Sequence, residues 1–458
     1  MGIFTAGTQL RTPMAVTSIA LLCGVLFAGI VLAQPRGPAV TPPTLRPAQA
    51  APQQAEPGPA VASASTLPDP TFDEGTAQRI AAAMLTYSAI EVRGGWRPLP
   101  QSTNLVPGAS GAEVIMLRQR LAVTEDLPPN SAAGETYDAA LVAAVRHFQA
   151  RHGLAETGTV TPKTLAALNV PVAQRLRQLA ASLERLAAMD FRFGQRYVVV
   201  NLPAAFAEAV DGDTVVRRYS VAVGSADRPS PTLTTQIAAV NLNPSWTLPL
   251  SIVKNDVIPH VRKDPGYIAR MHLRVLDANG AEQDPKTVDW NSDRAPNFTI
   301  RQDSGPWNAL GNLRITMPNL YSVFMHEVNR ELKSDYGFIS SGCTAVAQMP
   351  DLVSWLLQDT QGWSRVEIDA AIAKGGPLEI RLKLKVPVAW VYLTGWVTRS
   401  GLVEFREDVY DRDSAPERLL VADIQRPATL TAARASGFVL QSVESAPEIK
   451  PASYLDSQ

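Results

Sequence analysis

Near Arg192 the spacing of apolar residues changes from about 3.6 residues to about 2, and this switch divides the chain into a helical half and a strand half. On the N-terminal side, Asp73 to Arg93 reads as a helix with Ile80, Met84, Leu85 and Ile90 as core positions. Leu105-Val106-Pro107-Gly108 is a turn. Val114, Leu117 and Leu121 then mark one helix face, and Leu141, Ala144, Val145 and Phe148 fall at i, i+3, i+4 and i+7. His152-Gly153-Leu154 stops that helix, and Thr161-Pro162 starts another carrying Leu165 and Leu168. A compact three-helix unit is expected over 105–170, with a further helix from Gln174 to Met189. On the other side, Tyr197–Asn201, Val215–Val223, Gln236–Asn241, Leu313–Met317 and Leu320–His326 read as strands. Asp211-Gly212-Asp213 and Asn279-Gly280 mark turns between such runs. From Pro249 to Asn297 the pattern turns polar and helical, like an insertion riding on a sheet. Asp351 to Leu357 reads as a short helix, and strands return at Leu378–Leu384 and Val388–Trp396. The fold class is α+β and multidomain.

With 458 residues, two or three domains are expected, and a net charge of −1 excludes a nucleic-acid binder. The 36 prolines, with abundant alanine, point to a sizeable non-globular part. Residues 34–72 hold almost no large apolar side chain before Phe72 and read as an extended linker. Arg11 is the only charged side chain before Arg36, and Met14 to Ala33 is mostly apolar. Residues 1–33 are therefore a cleaved export signal or an uncleaved inner-membrane anchor, and the rest lies in the periplasm. Residues 73–104 are read as a helical scaffold segment, 171–195 as a connecting helix, 196–412 as a β-rich domain, and 413–458 as a disordered tail.

The sequence holds two cysteines, Cys23 in the apolar run and Cys343. An exported chain then carries one thiol with no intramolecular partner, a liability unless its reactivity is used. Cys343 ends Ser340-Ser341-Gly342-Cys343, and His326 precedes it in an apolar stretch. Thiol and imidazole are the minimum parts of a cysteine nucleophile. On residue type alone, an inert buried cysteine and a core histidine stay open. His326-Glu327-Val328-Asn329-Arg330 has arginine where a zinc peptidase needs its second histidine, so no metal and no cofactor are expected.

The helical unit resembles the peptidoglycan-binding type 1 domain. The resemblance rests on Gly111-Ala112-Glu113-Val114, Leu117 to Leu121, Tyr137-Asp138, Ala144 to Gln149, His152-Gly153-Leu154 and Thr164 to Asn169. The strand-rich half resembles the L,D-transpeptidases with a YkuD-type catalytic domain, in the larger periplasmic branch. Its landmarks include Asn243-Pro244-Ser245-Trp246, Asp264-Pro265-Gly266-Tyr267, Gly305 to Gly311, Met325-His326-Glu327 and Ser340 to Cys343. The insertion at about 249–297 stands where this branch carries a capping element.

The resemblance implies that Cys343 attacks the carbonyl between the third stem residue and a terminal D-Ala, forms a thioester and releases D-Ala. An amine of another stem or protein then takes the acyl group, with His326 moving the protons. Ser340, Ser341 and Gly342 would form the active-site loop, with backbone N–H groups around Gly342 and Cys343 as oxyanion donors. Trp246, Tyr267, Trp307, Asn308 and Arg330 are candidate substrate contacts. Slow acylation of Cys343 by carbapenems is also implied. The partners would be peptidoglycan stem peptides and glycan strands, in cell-wall organisation. Thr344 and Ala345 stand where the family has an aliphatic residue and arginine, with Arg330 and Lys333 as candidate replacements for the guanidinium. Glu327 and Val328 depart from the family's Asp or Gly followed by Thr. The alternatives are an L,D-carboxypeptidase or hydrolase on the same fold, and a catalytically silent wall-binding protein.

Overall fold

The computed structural model describes residues 68–101, 105–328 and 337–413. Its helical part comprises α1 (Thr76–Val92), α2 (Ala112–Val123), α3 (Ala139–Arg151), α4 (Pro162–Asn169) and α5 (Val172–Ala187). The caps are written in the sequence. Asp138 accepts the Leu141 N–H at the start of α3, and Thr161 accepts the Thr164 N–H at the start of α4, with Pro162 in the first turn. Helices α2 to α4 enclose Val114, Leu117, Leu121, Leu141, Val145, Phe148 and Leu168. Leu85, read as core, is instead 43% exposed, because α1 buries only the stripe through Ile80, Met84, Tyr87 and Ile90.

The strand half contains β1 (Arg196–Asn201), β2 (Phe206–Asp211), β3 (Thr214–Gly224) and β4 (Leu233–Leu242). An insertion follows, made of β5 (Trp246–Thr247), α6 (Leu250–Ile252), a π-helical turn (Val253–Val257), α7 (Ile258–Lys263), α8 (Tyr267–Arg270), β6 (Leu273–Leu276), β7 (Glu282–Gln283) and β8 (Thr299–Gln302). Then come β9 (Leu313–Thr316), β10 (Met325–Glu327), β11 (Phe338–Ser340), β12 (Thr344–Val346), α9 (Met349–Leu356), α10 (Arg365–Lys374), β13 (Leu378–Val391), β14 (Gly395–Val397) and β15 (Val403–Phe405). The strands β3-β12-β10-β9-β4-β13-β1-β2 close on themselves, because β2 pairs with both β1 and β3. Closure leaves these strands without a free edge.

The alternation of β1 explains the near-continuous apolar run. Val198 and Val200 enter the barrel interior with Trp390 and Val388, while Tyr197 and Val199 face a second core under α1 and α5. The insertion is a subdomain with its own sheet, order β5-β8-β6-β7, and its own core around Val257, Val261, Val275 and Ile300. It reaches slightly beyond 249–297 because β5 and β8 pair at its base.

Three other expectations are corrected. Leu320–His326 is not one strand: the Asn319 side chain bonds the Met317 and Val323 carbonyls and accepts from Tyr321 and Val323 N–H. That Asx-type turn holds 319–323 out of the sheet, so β10 begins only at Met325. The strands expected at 378–384 and 388–396 become the single β13 and a separate β14. The register is irregular between Arg381 and Val386, beside Pro387, but the strand continues through it. The end of the 34–72 linker is docked: Thr71 and Phe72 are buried, and Thr71 N–H and hydroxyl both donate to the buried Glu208 carboxylate at 2.9 Å. Residues 34–67 of that linker, the apolar run of 1–33 and the tail after Asp413 lie outside the described residues. No helix of the described residues is long and apolar enough to cross a membrane.

The helical unit is joined to the barrel domain through β15 and the residue after it. His152 stacks on Phe148 and Phe405, Arg151 donates to the Val403 carbonyl at 3.2 Å, and Arg406 donates to the Arg151 carbonyl at 3.1 Å.

Candidate active site

The parallel pairing of β10 with β12 brings together the chain segments of the two candidate residues. His326 registers with Ala345, so their side chains share one face of the barrel wall. Cys343 lies two residues before Ala345, at the mouth of β12. Cys343 borders the barrel core, and the Thr344 N–H that follows it donates to the carbonyl of Phe324, two residues before His326, at 3.0 Å. Both side chains are half-buried. Asn308, Leu310 and Gly311 form the loop beside them, and Gly311 is packed against Glu327.

The Nδ1 of His326 lies 2.9 Å from the Glu327 carbonyl, which assigns its proton there and leaves Nε2 as the acceptor. Burial holds the imidazole below the usual histidine range, although the Glu327 and Leu310 carbonyls act in the other direction. Burial pushes the Cys343 thiol up to about 11, partly offset by the Phe324 N–H. The same desolvation therefore favours both neutral forms, thiol and imidazole, in the resting site. Alkylation of the resting thiol by iodoacetamide should rise about tenfold per pH unit from neutrality, with no plateau below pH 10. A plateau near pH 6–7 would instead reveal a resting thiolate–imidazolium pair.

The loop before Cys343 is tied at each residue. Ser340 Oγ donates to the Cys343 carbonyl at 2.5 Å and accepts the Gly342 N–H at 3.2 Å. Gly342 has φ +108°, a conformation that side-chain-bearing residues rarely adopt. Its carbonyl accepts from Ser230 Oγ at 2.9 Å. Ser341 is exposed, and its hydroxyl receives Arg228 Nη1 at 3.1 Å. Arg228 also makes a two-pronged ion pair with Asp256 in the π-helical turn, at 2.7 and 2.9 Å. One guanidinium thus links the Ser340–Cys343 loop to the capping subdomain.

The other predicted contacts separate. Asn308 is fully buried; its amide donates to the Pro244 and Asp303 carbonyls and accepts the Leu310 N–H. The structure therefore assigns Asn308 to shaping the loop rather than to touching substrate. Trp246 and Tyr267 pack on the capping subdomain's own core, where Tyr267 stacks on His260. Trp246 Nε1 is buried and, among the described residues, has no hydrogen-bond partner. Trp307 is partly exposed, with His272 stacked on its ring at 4.0 Å. Arg330 and Lys333 lie outside the described residues. Ala345 is buried between His326 and Ala222 in the sheet register.

Sequence reasoning missed Arg314, which registers with His326 from β9. Its guanidinium bonds Asn241 Oδ1 at 2.9 Å and lies 5.4 Å from the Phe324 ring centroid. It missed Arg228, Ser230 and Asp256 as well; only their meeting at the Ser340–Cys343 loop distinguishes them from ordinary surface and turn residues. Among the described residues no group of His, Cys, Asp or Glu could hold a metal ion.

Comparison with known proteins places these features. Residues 195–368 match the YkuD family, described as "L,D-transpeptidase catalytic domain". Residues 110–168 match the family described as "Putative peptidoglycan binding domain". A Haemophilus influenzae protein named "Putative L,D-transpeptidase" is 30% identical over 242 residues, covering 52% of this chain and 48% of the relative. The chain thus spans about half the length of that curated relative. An L,D-transpeptidase structure from Stackebrandtia nassauensis aligns at 13% identity and TM-score 0.25, over 63% of this chain and 97% of that one. L,D-transpeptidase 1 of Mycobacterium tuberculosis aligns at 12% identity and TM-score 0.18, over 43% of this chain and 61% of that one. At such TM-scores the solved structures carry no weight for the site or its chemistry. The chain carries a YkuD-family L,D-transpeptidase catalytic domain over residues 195–368, joined to a peptidoglycan-binding domain over residues 110–168.

Proposed function

We propose that this protein is a cysteine acyltransferase acting on peptidoglycan stem peptides in the periplasm. The observation that carries this reading is the parallel β10–β12 pairing, which lays the strand that follows Cys343 beside the strand that bears His326, inside the matched catalytic domain. The apolar run Met14–Ala33 supports export, and the helical unit supports peptidoglycan as the partner.

In the proposed cycle, His326 Nε2 takes the Cys343 proton as the sulfur adds to the stem amide carbonyl. The oxyanion is met by the Cys343 N–H. The amide C–N bond then breaks, His326 returns the proton to the departing amine, D-Ala for a tetrapeptide donor, and a thioester remains. An acceptor amine attacks the thioester, loses its proton to His326, and the thiol is restored. A neutral resting pair suits this order, because charge develops only once substrate has displaced water.

The test is incubation of the purified protein with tetrapeptide stems, followed by product mass. Crosslinked dimer is the expected result. Shortened monomer alone would assign hydrolysis, and no product together with no loss of stems would remove the reading.

A further inference from the structure

We infer that Ser230 and Tyr410 are positioning residues for the nucleophile, aiming the Cys343 N–H at the oxyanion. The inference rests on the proposed acyl transfer.

The Gly342–Cys343 peptide is trans, so the Gly342 carbonyl and the Cys343 N–H point in opposite directions. Whatever fixes one fixes the other. Ser230 is fully buried, and its hydroxyl donates to the Gly342 carbonyl at 2.9 Å while accepting the Gly224 N–H at 2.9 Å. The second bond leaves the hydroxyl proton free for Gly342. With its carbonyl held toward buried Ser230, this peptide turns the Cys343 N–H outward, toward the cleft. The neighbouring loop amides are committed elsewhere: Gly342 N–H to Ser340 Oγ, and Thr344 N–H to the Phe324 carbonyl at 3.0 Å. Among the described residues no acceptor takes the Cys343 N–H.

Tyr410 locks this arrangement from outside the 195–368 match. Its hydroxyl donates to the Gly224 carbonyl at 2.6 Å and receives the Ser230 N–H at 3.4 Å. Gly224 cannot retreat: a Cβ there would lie 2.2 Å from the Arg228 carbonyl and 2.5 Å from Ser230 N, so the turn 224–230 is closed tightly on itself. Tyr410 is held in turn. Its N–H donates to Tyr392 Oη at 2.9 Å, Tyr392 donates to Asp408 Oδ1 at 2.5 Å, and Asp408 collects the Arg412 and Asp413 N–H groups. The rings of Tyr392 and Tyr410 stack at 5.4 Å, and Phe338, two residues before Ser340, meets Tyr410 edge-on. The segment 408–413 thereby braces the turn that orients the nucleophile loop.

Two reactions of Cys343 separate this role from a merely structural one. Alkylation by iodoacetamide displaces iodide and forms no oxyanion. Acylation by a carbapenem passes through one: the S–C bond forms, the lactam C–N bond breaks, and the ring nitrogen takes the thiol proton. In Ser230→Ala, acylation is expected to slow by about a hundredfold, as for loss of an oxyanion donor. Alkylation at the same pH should stay within about twofold of wild type. Tyr410→Phe, which removes only an oxygen, should slow acylation in the same sense but less, and the double variant should add little to Ser230→Ala. Wild-type rates of acylation in both variants, or equal loss of both reactions, would overturn the inference while leaving acyl transfer intact. Absence of acylation in the wild type would overturn the underlying reading, and the inference with it.

Discussion

Replacing Cys343 with alanine is expected to abolish acyl-enzyme formation and stem crosslinking, by at least about a thousandfold, because no other group supplies the electron pair. Intact-mass spectrometry with a carbapenem should show a single adduct on the wild type and none on Cys343→Ala. The other cysteine of the sequence, Cys23, is present in both proteins, so the difference between them assigns the adduct to Cys343. The variant should keep its fold, since the thiol only borders the barrel core and its loop is held by Ser340 and Ser230. An equal adduct on both proteins would mean that the reactive group lies elsewhere, and crosslinking by the variant would remove Cys343 from the chemistry.

The second large effect falls far from the site. Asp126→Ala should destabilise the protein by about 3–5 kcal/mol, the range for breaking a buried ion pair. The Asp126 carboxylate is wholly buried and holds Arg151 Nε at 2.6 Å, His147 Nδ1 at 3.0 Å and Thr124 Oγ1 at 2.7 Å. Its loss would strand the buried Arg151 guanidinium at the joint between the helical unit and β15. Burial raises the Asp126 carboxyl, but the Arg151 charge and hydrogen bonds from Arg151, His147 and Thr124 together more than offset it and leave it at about 2. A carboxyl depressed in the folded state contributes stability above its unfolded value of about 3.9. That contribution is full at neutral pH and is lost as pH falls from about 4 through 2. Urea unfolding of wild type and variant at pH 7 and pH 3 reads both effects. The gap between the two proteins should narrow at the lower pH; an unchanged gap would show that the carboxylate charge is not what stabilises the joint.

Much of the architecture was legible because its signals are local. The stripe through Leu141, Val145 and Phe148 and the caps at Asp138 and Thr161 specify helices within a few residues. The run Tyr197–Asn201 marked a strand, although its service of two cores shows only once α1 and α5 are seen to cover the outer face. Leu320–Phe324 misled because its residues have strand propensity, while the Asn319 side chain decides the local hydrogen bonds. Asn308 and Trp246 looked like substrate contacts from their place in motif blocks. Their contacts turned out to lie within the loop and the capping subdomain.

For the site itself, the sequence by itself named the two candidate groups, since a thiol after Ser-Ser-Gly and a preceding histidine need only residue type and order. It also set the glycine at 342, whose positive φ is a local property of the chain. Tertiary structure alone decided which strands are neighbours, and hence that β12, which follows Cys343, lies beside His326 on β10. It decided the burial that lowers the imidazole and raises the thiol. It also brought Ser230 to Gly342 across 112 residues and Tyr410 to Gly224 across 186. The reason is physical: periodicity and capping are fixed by neighbours along the chain, whereas desolvation and long-range hydrogen bonds exist only after the barrel has closed.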